Sequence, residues 1–272
     1  MITGTQSHMS EVSVDTDAGV AHVTLARPEQ RNRLTKRTLE TLLAACTTFA
    51  QDAETRVVIF RGDGPDFSAG VDLRDPGMRD IAHEPMARRR MLLQLGPRLV
   101  EAIQALPQIT IAAMHGHCLG GGGCIALACD LRIAAADLRF GMPEVLRGMN
   151  MSWRTVPLMV AHFGPARTKE LLITGKLLDS TQSERWGLAN RIVTGGRADA
   201  WSEADSWARQ IVADVPPVAA TMVKETVNAV ANAATPMVHM DMDQFMLTQS
   251  TEDFREAVLA FLEKRAPRFT GK

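Results

Sequence analysis

Four consecutive glycines, Gly120 to Gly123, run directly into the apolar segment Cys124-Ile125-Ala126-Leu127-Ala128-Cys129, with Asp130 closing it. Glycine loses more backbone freedom on ordering than any other residue, so an ordered run of four needs a physical reason. One reason is a helix packed so tightly on a strand that any side chain would clash. The other is a bare helix N-terminus, whose N–H groups and positive end suit a phosphate, a carboxylate or a developing oxyanion. Spacing alone leaves both open. A second turn, Phe67-Ser68-Ala69-Gly70-Val71-Asp72, follows another short apolar strand. Donors from two such loops can grip one carbonyl oxygen, and losing one donor of that kind costs roughly 3 kcal/mol.

The rest of the chain says what those loops are mounted on. Residues 19–26, GVAHVTLA, alternate with Ala21, Val23 and Leu25 on one side, a strand pattern. Leu39, Leu42, Leu43, Cys46 and Phe49 recur at helical spacing. Val57-Val58-Ile59-Phe60 reads as a strand buried on both faces. The charged, Met-rich stretch 78–91, with Arg88-Arg89-Arg90, reads as a mobile loop or irregular helix. Leu92, Leu95, Leu99, Ile103 and Leu106 mark a helix that ends before Pro107, and Ile111–Met114 and Leu131–Ala134 are strands. This alternation predicts an α/β domain with crossover connections. Beyond about residue 165 the segments 166–175, 180–192, 201–213 and 219–265 all show helical spacing, with no linker between. The expected organisation is a core over 1–200 and a helical subdomain over 201–272 packed on it.

Composition narrows the function classes. Lys plus Arg is 30 against Asp plus Glu at 31, so no basic footprint for a nucleic-acid partner is expected. No apolar run reaches the ~20 residues that cross a bilayer, so no membrane insertion is expected. The first residues lack the cationic start and apolar stretch of a secretory signal. Cys46, Cys118, Cys124 and Cys129 match no zinc spacing and are too few for a disulfide scaffold, which points to a reduced, cytoplasmic setting and no metal. Neither a dinucleotide fingerprint after the first strand nor a phosphate-binding GxxxxGK[ST] is present.

The blocks ARPEQRNRL, FSAGVDL, HGHCLGGGGCIALACDLRIAA, LRFGMPEVLRG, LLITGKLLDSTQSERWGLANRIV and AFLEKRAPRF resemble the crotonase (enoyl-CoA hydratase/isomerase) superfamily along nearly the whole chain. The resemblance implies an α/β fold, a spiral of ββα units with a helical C-terminal region for trimerisation and pocket closure. It implies homotrimers or dimers of trimers acting on acyl-CoA thioesters, with no cofactor beyond the CoA moiety of the substrate. By position, it puts the two oxyanion N–H donors on Val71 and Gly121, with Gly70 and Gly120 beside them. The backbone near Ala69 and Val71 resembles the segment that meets the adenine, and the loop of Arg31, Asn32 and Arg33 lies where pantetheine and phosphates pass. Guanidinium forks pair well with phosphates, although a solvated loop accounts for those arginines equally. Lys264 and Arg265 resemble a C-terminal basic pair that reaches a CoA phosphate, and a solvated helix face is the alternative.

Two positions decide the chemistry. Hydration in this family uses two glutamates that hold one water; the second falls on Glu144, the first on Cys124. A thiol is a weak partner for water. As a thiolate near a helix N-terminus it can be base or nucleophile, but a small pocket-lining residue is the simpler account. A lone carboxylate suits a different reaction, moving a double bond from the 3,4 to the 2,3 position by carrying one proton across one face. The dienoyl isomerase pattern would need acids at Cys124 and Ser152, and has neither here. Met151 and Trp153 are expected to narrow the acyl pocket. Asp72 and Asp130 are read as turn acceptors, His115 and His117 as loop or core histidines, and Cys46, Cys118 and Cys129 as buried. The expectation is an enoyl-CoA isomerase using Glu144. The alternatives are a 2-enoyl-CoA hydratase, a non-catalytic acyl-CoA binding protein, and thioester hydrolysis or decarboxylation in the same oxyanion hole.

Overall fold

A computed structural model describes residues 10–231 and 239–272. Strands β1 (Val12–Asp17) and β2 (Val20–Leu25) form a hairpin whose turn residues, Ala18 and Gly19, both take positive φ. Helix α1 (Lys36–Phe49) follows, started by a capping box between Thr35 and Thr38. Then come β3 (Val57–Gly62), the short helices α2 (Pro76–Arg79) and α3 (Met86–Leu92), and α4 (Leu95–Gln104). Next are β4 (Ile109–Met114), β5 (His117–Leu119), α5 (Gly121–Ala128), β6 (Leu131–Ala134) and β7 (Arg139–Gly141). The rest is α6 (Thr155–Thr174), α7 (Ser180–Arg185), β8 (Arg191–Ile192) and helices α8 (Arg197–Asp214), α9 (Pro217–Ala231), α10 (His239–Gln249) and α11 (Glu252–Glu263).

Six strands make one sheet in the order β1-β2-β3-β4-β6-β8, antiparallel between β1 and β2 and parallel elsewhere. Strands β5 and β7 pair in a second small parallel sheet. Single bridges Ser68–Cys118, Leu34–Val71 and Phe140–Leu178 tie loops onto this second layer. The chain therefore winds as the expected spiral of ββα units with a helical C-terminal region.

The inner strands of the large sheet are buried on both faces, with successive residues pointing to opposite cores. Ala21, Val23, Leu25, Val58, Phe60, Ala112 and Met114 face one core, with α1, α4 and α5. Val20, Val57, Ile59, Ile111, Ala113 and Ile133 face the other, covered by the small stripe Ala200, Ala204 and Ala208 of α8. Residues four apart share a helix face, so this stripe lets α8 lie close to the sheet. Helix α8 runs through position 200 and packs on β3 and β4.

The strand β1 is a sheet edge whose VSVDTD side chains are mostly exposed. The stretch 78–91 runs through the end of α2, a 3-10 turn and most of α3, all short and mostly exposed, which is the irregular helix of its two readings. One local expectation differs from what the chain does. Helical spacing over 180–192 ends at Arg185; Arg191–Ile192 becomes the last strand, where parallel pairing with β6 overrides the local pattern. All four cysteines are buried and none is in a disulfide. Burial pushes the Cys46 thiol up to about 12 and raises the Cys118 and Cys129 thiols well above the ordinary thiol range. Asp130 does act as a turn acceptor: its Oδ2 accepts from the Thr110 N–H at 2.7 Å and lies 2.8 Å from the buried Lys224 ammonium. Among the described residues, no helix is long and apolar enough to cross a membrane, and no group of three or more His, Cys, Asp or Glu is placed to hold a metal ion.

Candidate active site

The two glycine-bearing loops lie side by side. The N–H groups of Phe67 and Ser68 donate to the carbonyls of His115 and His117, and that of Leu119 to Ser68 O, all at 2.9 Å. This ladder delivers Gly70 and Gly120 to the same point: a Cβ on Gly70 would sit 3.0 Å from Leu119 O, and one on Gly120 would sit 3.9 Å from Gly70 Cα. Leu34 connects them from below. Its N–H donates to Gly70 O and its carbonyl accepts from Asp72 N–H, so Val71 turns its own N–H to the opposite side. A Cβ on Gly121 would lie 3.1 Å from Leu34 Cδ1. Gly121 is the first residue of α5, where N–H groups have no partner inside the helix. Neither the Val71 nor the Gly121 N–H enters a backbone hydrogen bond among the described residues.

Each of the four glycines meets a different neighbour. A Cβ on Gly120 would stand 2.5 Å from Glu144 Oε1; on Gly121, 3.0 Å from the Trp153 ring; on Gly122, 2.6 Å from Ser68 Cβ; on Gly123, 2.7 Å from Met142 Cε. Close packing is therefore one reason for the run: Gly121, Gly122 and Gly123 seat the helix against Trp153, Ser68 and Met142, while Gly120 leaves room for the Glu144 carboxyl. Gly120 also has φ 50° and ψ −122°, a conformation open essentially only to glycine.

Glu144 sits in a 3-10 turn, Pro143–Arg147, after β7. The residue is half-buried, but its Oε2 is shut off from solvent and has no hydrogen-bond partner. Burial pushes its carboxyl up to about 7, against weaker opposite pulls from its own backbone N–H and the Arg147 guanidinium. A carboxyl with that value near neutrality is suited to take and return protons. Trp153 and Arg154 both take positive φ, which non-glycine residues seldom adopt. That backbone lays the indole into the space left by Gly96 of α4 and against Gly121. Cys124 is fully buried, and its sulfur accepts from the Thr155 hydroxyl at 3.1 Å.

Arg31 and Arg33 lie on the neighbouring loop, which meets Ala69 of the Phe67–Asp72 turn. Arg31 has φ 56°; its Nε donates to Asp66 Oδ2 at 2.6 Å, and its Nη2 meets His117 Nδ1 at 2.6 Å. The guanidinium remains half exposed. Arg33 Nη1 stands 3.7 Å from Asp72 Oδ1, and Ala69 N–H donates to Arg31 O at 2.9 Å. Lys264 caps the end of α11 in a left-handed conformation. The fold thus gathers Ala69, Gly70, Val71, Gly120, Gly121, Cys124, Glu144 and Trp153, with Arg31 and Arg33 on the adjoining loop and Lys264 at the end of α11.

Sequence reasoning missed Asp66 and Thr155, and it placed Asn32 in the loop without its structural part. Asp66, 3% exposed, takes the Arg31 guanidinium and the His117 N–H together. Asn32, 1% exposed, donates to the carbonyls of Asp63 and Asp66, both at 2.7 Å. Thr155 holds Cys124. Asn32 alone carried a signal, as a residue suited to left-handed turns within PEQRN.

Known proteins resemble this chain throughout. A model of the enoyl-CoA hydratase/isomerase family matches residues 15–272. A probable enoyl-CoA hydratase of Mycobacterium bovis is 33% identical over 96% of this chain and 98% of its own length. An enoyl-CoA isomerase/hydratase of Mycosarcoma maydis is 32% identical over 98% of this chain and 100% of its own. Among solved structures, a carnitinyl-CoA hydratase from Mycobacterium avium superposes with TM-score 0.84 at 28% identity, covering 97% of this chain and all of that one.

Proposed function

This chain belongs to the enoyl-CoA hydratase/isomerase family, and from that premise we propose that it converts β,γ-unsaturated acyl-CoA thioesters to their α,β-unsaturated isomers, with Glu144 as the one proton carrier. Action on acyl-CoA substrates is the family's chemistry. The observation that carries the finer reading is the Glu144 carboxyl: it stands against Gly120 with Oε2 buried and unpartnered, and the first turn of α5 supplies Cys124 instead of a second carboxylate.

In this reaction the ionised Glu144 removes a proton from the α carbon. The C–H electrons move toward the thioester carbonyl, and the resulting dienolate oxygen is held by the Val71 and Gly121 N–H groups. Neutral Glu144 then returns the proton to the γ carbon, restoring the carbonyl and leaving the double bond one position nearer to it. No water enters the balance. The Trp153 ring against Gly121 and the Thr155-bound Cys124 fill space where a water would be unwelcome. Arg31 and Arg33 are proposed to guide the CoA phosphates, with the half-exposed Arg31 guanidinium as support; Ala69 is proposed to meet the adenine and Lys264 a phosphate.

Paired assays with β,γ- and α,β-enoyl-CoA test the reading. Isomer formation from the first, with no hydroxyacyl product from the second, is the expected result. Hydroxyacyl-CoA as the main product would favour the hydratase reading, which the names of several relatives suggest. Binding without turnover, or release of free CoA, would favour the other two.

The raised carboxyl also sets two opposite pH dependences. Activity needs ionised Glu144, so kcat/KM is expected to rise with pH and level off above about 7. Stability runs the other way. The fold favours neutral Glu144, so its contribution is fully present below the unfolded value near 4.5 and lost as pH rises through about 7. Denaturant titration should find Glu144→Gln more stable than wild type at about pH 8, by on the order of 1–3 kcal/mol, with little difference at about pH 4. Equal stabilities at the higher pH would contradict the buried-carboxyl account.

The proposal includes a homotrimer or dimer of trimers built through the helical 201–272 region. Val218, Met222, Val223, Val227 and Val230 on α9 are each more than half exposed, an apolar patch of the kind that marks an interface. It also includes a cytoplasmic setting, supported by four buried cysteines without a disulfide.

A further inference from the structure

A cleft of about 710 Å³ opens beside Glu144. Glu144, Met149 and Met151 line one wall and Leu172 belongs to another, while Phe269 and Gly271 come from the segment after α11. That segment turns back along its own helix and is fastened residue by residue. Arg265 Nη1 and Nη2 donate to Glu256 Oε1 and Oε2 at 2.6 and 2.8 Å, and Arg268 N–H donates to Glu256 Oε1 at 2.8 Å. The N–H groups of Thr270 and Gly271 donate to the Asp253 carboxylate at 2.6 and 2.8 Å. Glu252 N–H, in the first turn of α11, donates to Lys272 O at 2.8 Å. The Thr270 and Gly271 N–H groups hold the Asp253 carboxyl below its usual range, and the Arg265 guanidinium holds Glu256 down to about 2.

Yet Phe269 stays 52% exposed, and Ile173 and Leu247, which also line the cleft, are each 69% exposed. A pinned backbone presenting a bare aromatic ring to a cleft that contains the reacting carboxyl leaves apolar surface for an apolar group to cover. Thioether side chains at Met149 and Met151 adapt to varied shapes.

We propose that residues 265–272 form a strap closing the acyl cleft, and that Phe269 sets the length of unsubstituted apolar acyl chain the enzyme accepts. The proposal rests on the isomerase reading only for placing the reacting carbons at Glu144. Each methylene moved from water into the cleft strengthens binding about fourfold, until the chain meets the strap.

Calorimetric binding of saturated acyl-CoAs of roughly six to sixteen carbons reads this without turnover, alongside kcat/KM for the matching β,γ-enoyl-CoAs. Wild type should gain affinity with length and then level off. In Phe269→Ala the plateau should move about two to four carbons longer, with about 16- to 250-fold tighter binding of the longest chain. Asp253→Ala, which frees Thr270 and Gly271, should blur the same cutoff; its thermal transition reports that it folds. An identical length profile in wild type and both variants overturns the proposal. So does binding indifferent to chain length in a wild type whose sedimentation mass falls on Phe269→Ala, since a second copy would then cover the cleft. Because binding needs no catalysis, a shifted cutoff in an enzyme that only hydrates sinks the isomerase reading and keeps the strap. Isomerisation with an unmoved cutoff does the reverse.

Discussion

Glu144→Gln should lower kcat for β,γ-enoyl-CoA isomerisation by about 10³-fold and leave KM within a few fold, because general acid–base transfer contributes about 10²–10⁴. The amide keeps the size and polarity of the side chain but cannot accept the α proton. Of the side chains beside Gly121, Cys124 is fully buried with its sulfur on the Thr155 hydroxyl, and Trp153 carries no group that could take the proton instead. Steady-state kinetics on one β,γ-enoyl-CoA checks it. A loss of less than tenfold would mean that the proton moves by another route.

The second large effect is expected from a single methyl group. In Gly120→Ala the new Cβ would stand 2.5 Å from Glu144 Oε1 and 3.9 Å from Gly70 Cα. The backbone at φ 50°, ψ −122° would also be strained, and such strain costs on the order of 1–3 kcal/mol. The contact cannot be relieved without moving the carboxyl or tilting the start of α5, and either change separates the base from the Gly121 N–H. We expect kcat to fall at least about 10²-fold, as misplacement of about 1 Å does elsewhere, and the thermal midpoint to drop by several degrees. Gly123→Ala is the informative comparison. Its Cβ would press on the end of the flexible Met142 side chain, so it should cost stability more than turnover. Equal catalytic losses in the two variants would show that the run serves packing alone.

What was legible in the sequence follows from how local each signal is. The buried strands β3 and β4 announced themselves because both faces are apolar, β2 through its alternation, and α1 because its apolar stripe has helical spacing. The edge strand β1 is short and mostly exposed, and β8 is two residues long and exists only through its neighbour. The glycine run signalled a special place, but not which glycine does what; that depends on Trp153, Ser68 and Met142, which arrive from other segments. Glu144 stood out through its motif, whereas the burial that raises its carboxyl is a property of the assembled fold. Asp66 gave no signal, since its partners Arg31 and His117 lie 35 and 51 positions away. The block AFLEKRAPRF was legible as a motif with a basic pair, but its fastening to Asp253 and Glu256 depends on how the segment folds back along α11.

The central claim is that one carboxyl in a buried setting carries one proton from the α to the γ carbon. Incubating the wild-type enzyme with a β,γ-enoyl-CoA in D₂O and weighing the products tests it most directly. The expected product is α,β-enoyl-CoA carrying clearly less than one deuterium per turnover, because a proton held on a solvent-shielded carboxyl is returned before it exchanges, with no product heavier by one water. Hydroxyacyl-CoA as the dominant product, or a full deuterium at the γ carbon in every turnover, would contradict it.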